Sequence, residues 1–241
     1  MTHTADEDNP RRSLLRSISR FWWLSVPVGL AFAAVAIRPL FDSGTSPEPP
    51  QPVTLSQLAE TRTVPVAAGT QLIVQVGRGD LEVIVGEPGF VRFTVTRFAT
   101  APTNAEAAAA IETVHVRISG GDPLLSFVVA VDRSFDTGVT AVIEVPPGLS
   151  VQAETIAGDV LLDGPFTGRV EAGTGRGTLE VRLPHGWHAH ISADAPEVLS
   201  DFALEPVDDA IPTVYRTPGT TSPVLVLMLR TLGGPIIVRE G

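Results

Sequence analysis

Apolar and polar residues alternate with period two through most of this chain, in short runs broken by Gly, Pro, Asp or Asn. A residue pattern of that period lines one face of an extended strand and cannot line one face of a helix. In LEVIV, Leu81, Val83 and Val85 share a side. In FVRFTVT, Val91, Phe93 and Val95 oppose Arg92, Thr94 and Thr96. TVHVRIS sets Val114, Val116 and Ile118 against His115 and Arg117. LLSFVVAV and VTAVIEV repeat the pattern, and about a dozen such runs follow Thr63. One stretch departs from it. Asn104 followed by AEAAAAIE predicts an N-cap and two helical turns, with Glu106 near the positive end of the helix dipole.

The second half is more regular. Inward pairs are expected at Val151/Ala153, Val160/Leu162, Val170/Ala172, Leu179/Val181 and Ala189/Ile191, their first members 9, 10, 9 and 10 residues apart. Turn signals lie between them, at Ala157-Gly158-Asp159, Asp163-Gly164-Pro165, Gly173 to Gly177 and Pro184-His185-Gly186. One short strand plus one turn, repeated, is what a β-solenoid or a stack of hairpins produces. The runs VLVLMLR and GGPIIVRE are apolar on both faces, which predicts central strands with something packed over each side.

The passage LSVQAETIAGDVLLDGPFTGRVEAGTGRGTLEV, preceded by VIEVPPG and closed by GGPIIV, resembles the bacterial putative-adhesin family. The resemblance covers roughly Val64 to Gly241 and implies an all-β fold, a β-solenoid or "toast-rack" stack of short strands with one short helix. It implies a location in the cell envelope and brings no functional residues with it. The irregular stretch Pro196 to Thr221 departs from the family pattern and leaves the register of the last strands open.

The N-terminal quarter reads differently. Residues 1–20 are polar and carry Arg11, Arg12, Arg16 and Arg20. Phe21 to Ile37 is free of charge, and residues 21–40 are expected to form a transmembrane signal-anchor, with Trp22 and Trp23 at one interface. The arginine bias then places the N-terminus in the cytoplasm, the anchor in the bacterial plasma membrane and the rest outside. Ala34-Val35-Ala36 offers the alternative of a cleaved signal and a secreted product. Residues 41–60, with Pro47, Pro49, Pro50 and Pro52, are expected to be an extended spacer, leaving 61–241 as the exported domain.

Composition excludes several chemistries. There is no Cys, so no disulfide, thiol nucleophile or zinc finger is available. All 17 basic residues are Arg, which removes Schiff-base lysines and Walker-type phosphate loops. A net charge of −10 argues against nucleic acid as a partner. Gly173-Thr174-Gly175-Arg176-Gly177 superficially resembles a dinucleotide loop, but the strand TLEVRL follows where a helix is needed. Gly79-Asp80 and Gly158-Asp159 read as turns and not as a calcium ladder. His185, His188 and His190 are the candidate metal ligands, since His188 and His190 would project from one side of a strand; a solvated strand face is the plainer reading. No catalytic residue, metal or cofactor is expected.

Three functions fit these observations. The first is a membrane-tethered extracytoplasmic domain that touches an envelope protein or glycan without catalysis. The second is envelope-stress sensing or signalling through the cytoplasmic tail, and the third a metal-dependent glycan binder or enzyme using the histidines.

Overall fold

Alternating segments bury one face only by lying against another sheet, and in the computed structural model of this protein two sheets do so. Residues 51–131, 136–201, 203–207, 213–217 and 225–241 are described. The first strands are β1 (Val53–Pro65), β2 (Gln71–Val76), β3 (Gly79–Val85) and β4 (Phe90–Ala101). Helix α1 (Asn104–Ile111) follows, then β5 (His115–Gly121), β6 (Leu124–Ala130) and β7 (Asp136–Val145). The repetitive half supplies β8 (Ser150–Thr155), β9 (Val160–Asp163), β10 (Gly168–Thr174), β11 (Leu179–Leu183), β12 (Ala189–Asp194) and β13 (Val198–Ser200). Last come β14 (Glu205–Pro206), β15 (Val214–Arg216), β16 (Leu225–Thr231) and β17 (Ile236–Glu240).

Sheet A runs β1-β4-β7-β3-β9-β11-β17-β13, and sheet B runs β14-β15-β12-β16-β10-β8-β2-β6-β5. From β6 to β13 consecutive strands alternate between the sheets, so each coil places one strand in B and the next in A. The 9- and 10-residue spacing is therefore half a coil. Val170 pairs with Val151 and Leu179 with Val160, nineteen positions apart in each case. The stack is parallel from β6/β7 to β12/β13. Its ends close with antiparallel strands: β1 and β4 beside β7, β5 beside β6, and β15 beside β12.

Every inward pair expected from β8 to β12 is buried. The small Ala153 and Ala172 lie side by side in the middle of the stack, both buried. Towards one end Phe93 of sheet A stacks on Phe127 of sheet B, with ring centroids 5.3 Å apart. Coil order is not chain order. The C-terminal pair β16/β17 sits inside the stack, β16 between β10 and β12 and β17 between β11 and β13. The irregular stretch after Pro196 is the detour that lets this happen.

Corners between the sheets are built from the Gly-Asp turns. The Asp80 carboxylate accepts the Asp159 N–H at 3.0 Å, and the Asp159 carboxylate accepts the Thr178 N–H at 2.7 Å. On the inner side Thr155 and Thr174 donate to the carbonyls of Gly79 and Gly158, at 3.1 and 2.8 Å. These aspartates thus satisfy the backbone of the neighbouring coil.

Another carboxylate ties the first coils together. Asp122 accepts from the Thr70 hydroxyl and from the Ala67 N–H, and the Thr70 bond first, then the Ala67 bond, hold its pKa below the usual carboxylate value. A carboxyl depressed on folding stabilises fully above its unfolded pKa and loses that contribution as pH falls through the folded one. Thermal melts of wild type and Asp122→Ala should therefore differ at neutral pH and converge below about pH 4. A gap that stays constant down to low pH would exclude this role.

Three expectations need correction. Among the described residues no helix is long and apolar enough to cross a membrane. Helix α1, of eight residues, spans about 12 Å against about 30 Å of hydrocarbon. The expected span at 21–40 and the tail at 1–20 lie outside the described residues. Among the described residues the fold class is corrected to an all-β two-sheet stack with one short helix, of which an N-terminal transmembrane helix is no part. The membrane tether, the single-span membrane partner and the plasma-membrane location are corrected with it. Second, the N-cap of α1 is Thr103 and not Asn104: its hydroxyl accepts the Glu106 N–H and donates to the Glu106 carboxylate. Third, strand β1 begins at Val53, inside the stretch expected to be spacer, because the last proline is Pro52 and the residues beyond it pair with β4.

Candidate functional site

A strand paired on both sides normally has its outer face covered if that face is apolar. Strand β16 breaks this rule. Its inward residues Leu225, Leu227 and Leu229 are buried, but Val226 and Met228 are each 39% exposed, and Leu232 beyond its end is 67% exposed. The cover expected over VLVLMLR is not supplied by any described element.

The parallel register aligns the outward residues in rows across sheet B. One row reads Glu154 on β8, Gly173 on β10, Arg230 on β16 and Asp194 on β12. Just past the strand ends, Ile156 and Leu232 flank Gly175 in the same way, each hydrogen-bonded into the next coil. Because β10 offers no side chain at Gly173, a trough of about 560 Å³ opens there, with Glu154 on one bank and Arg230 and Leu232 on the other. Its banks are one strand spacing, about 4.8 Å, to either side of β10.

The two glycines are there for different reasons. A Cβ at Gly175 would lie 2.6 Å from the Ile156 carbonyl, so packing demands glycine. At Gly173 the nearest atom would be the Arg230 carbonyl at 3.3 Å, with side-chain carbons of Arg230 and Glu154 at 4.0 Å. Nothing in the fold makes Gly173 indispensable. Glycine within a strand often marks a place where a ligand or another backbone comes close.

Charges around the trough are partly paired on the same face. Arg169 meets Glu171 at 2.6 Å and Arg230 meets Asp194 at 3.4 Å. Such exposed pairs contribute about 0–1 kcal/mol each. Arg169 also reaches the Met228 sulfur at 3.0 Å.

The outer face of sheet A has another character. Asp80, Glu82, Asp159 and Glu180 surround Leu161 and Ile237 in a hollow of about 460 Å³. Glu180 pairs with Arg182 at 2.8 Å and with Arg239 at 3.7 Å. The Glu180 carboxylate, foremost by its hydrogen bond, raises the Arg182 pKa and keeps the guanidinium charged.

The three histidines are only partly brought together. His185 lies in an exposed turn with Nδ1 against the Glu240 carboxylate. His188 precedes β12 and is not on a strand; its Nδ1 is buried without a hydrogen-bond partner. Both line a hollow of about 220 Å³ with Trp187, Thr217 and Glu240. His190 does not reach it, and stands on β12 beside Val226 and Arg216. Among the described residues no group of three or more His, Asp or Glu is placed to hold a metal ion.

Glu154, Arg230 and Glu240 were not singled out by sequence. Gly173, expected in a turn, is instead an outward residue of β10.

No protein-family model matches the sequence, and no curated protein matches it. Among solved structures, a putative cell adhesion protein from Clostridium sporogenes is similar at 12% identity and a TM-score of 0.48, covering 79% of this chain and 100% of that one. A putative adhesin from Bacteroides fragilis is 13% identical with a TM-score of 0.25, covering 76% and 97%. Another, from Parabacteroides distasonis, is 9% identical with a TM-score of 0.19, over 76% and 97%. The likeness is a distant link among β-rich proteins, and the architecture described above rests on this chain's own strand pairing.

Proposed function

We propose that this chain is an extracytoplasmic contact domain, non-catalytic, which uses the outer face of sheet B to hold a protein partner. The single observation carrying this reading is the exposed aliphatic face of β16, a strand otherwise enclosed on both edges by parallel neighbours. Aliphatic surface left in water on a strand paired at both edges costs about 25 cal/mol per Å², which a bound partner recovers. The reading concerns residues 51–241 and uses no membrane tether.

Met228 is a built-in reporter, because its thioether is exposed and oxidisable. Hydroxyl-radical footprinting should oxidise Met228 readily in the dilute protein and more slowly when cell-envelope extract from the producing bacterium is added. Equal oxidation in both samples would end the proposal. So would a turnover of an envelope substrate that a single substitution on the domain abolishes.

A further inference from the structure

We propose that the partner on this face is a second copy of the same chain, the two sheet B surfaces packing face to face about a two-fold axis that runs parallel to β10 and over Gly173. The proposal rests on the contact reading above and specifies who makes the contact.

An isologous interface must be complementary to itself: whatever residue i meets, residue j of the other copy must meet in return. The row Glu154–Gly173–Arg230 has this property. Glu154 lies one strand to one side of β10, and Arg230 one strand to the other. A two-fold rotation about an axis parallel to the strands and over Gly173 exchanges the two sides. It sets Glu154 of each copy opposite Arg230 of the other, giving two opposite-charge contacts by symmetry. A row centred on a residue with like charges on both sides would repel under the same operation.

The same rotation treats the neighbouring row equally well. Ile156 and Leu232 flank Gly175, and they are 63% and 67% exposed. Each comes to face the other's counterpart, so aliphatic meets aliphatic. On the axis itself Arg169 and Glu171 each meet their own counterpart, a like-charge approach that the ion pair within each copy moderates, and Met228 comes over Gln152 of the mate. Gly173 supplies clearance along the axis, where two backbones approach most closely. That gives a reason for a glycine that packing within the chain does not require.

Charge reversal tests this without touching the core, since Glu154 and Arg230 are both exposed. The full chain is followed by sedimentation velocity over a range of concentrations. Wild type should associate, and Glu154→Arg alone or Arg230→Glu alone should weaken association at least about tenfold in Kd, because each introduces two like-charge contacts. Mixing the two single variants should restore it, since both contacts then pair opposite charges. The double variant Glu154→Arg/Arg230→Glu should associate as wild type does. A monomeric wild type would overturn the proposal, as would association that neither reversal alters or that mixing fails to restore. Met228 footprinting separates this failure from failure of the contact reading. Protection that grows with the concentration of pure protein belongs to self-pairing, whereas protection seen only with envelope extract retires the second copy and leaves the contact reading standing.

Discussion

A chain ending before Leu225 should lose cooperative unfolding altogether. A C-terminal strand at a sheet edge can be trimmed at the cost of one ladder. Here β16 and β17 each stand between two parallel neighbours, so removing them cuts two ladders in both sheets at once. The same cut strips Leu225, Leu227, Leu229, Ile236 and Val238 from the core. Five buried aliphatic side chains at about 1.5–3 kcal/mol each are together comparable to the ~5–15 kcal/mol that holds a typical domain together. Strands β10 and β12, left without β16, would expose unpaired edges that invite aggregation. The measurement is a circular-dichroism melt, with a broad non-sigmoidal transition expected for the truncated chain. Cooperative melting near the wild-type temperature would show that β12/β13 can close directly onto β10/β11. A gentler version is Leu227→Ala, where about 2–5 kcal/mol should be lost.

That position in the stack explains what could be read from sequence and what could not. The inward pairs from Val151 to Ile191 were legible because each strand buries one face, and alternation records that directly. The single helix was legible because AEAAAAI cannot sustain alternation. Which coil lies beside which was not. Parallel strands are joined by long connections, so no tight turn between β10 and β16 marks them as neighbours. For the same reason the repeat looked like one strand per 9 or 10 residues, although a full coil takes nineteen. The trough was hidden too: Glu154 and Arg230 are 76 residues apart in sequence and meet Gly173 only through register. Glu240 reaches His185 through the same kind of pairing, β17 on β11, and no local motif announces it.

The stretch Gly173-Thr174-Gly175-Arg176-Gly177 offers the sharpest test of how fold and contact surface divide the same residues. Alanine at Gly177 should be strongly destabilising, on the order of 4 kcal/mol. Its φ is +143°, a region that side chains strain to adopt, and the added Cβ would stand 2.2 Å from the Gly158 carbonyl. Neither the backbone nor that carbonyl can retreat easily, because Gly158 is itself locked to Arg176 by its N–H at 2.8 Å. For a domain of this size the melting temperature should fall by roughly 10 °C. Alanine at Gly173 should do almost nothing to the melt. Its φ is not positive, the 3.3 Å approach to the Arg230 carbonyl asks for a shift of a few tenths of an ångström, and the loss of unfolded-chain freedom returns about 0.4–1 kcal/mol. A larger residue there, as in Gly173→Leu, fills the trough and should suppress the slow oxidation of Met228 that contact produces, while the fold survives. If Gly173→Ala instead destabilises as much as Gly177→Ala, the glycine is a packing requirement after all, and the open trough loses its meaning as a place kept clear for a neighbour.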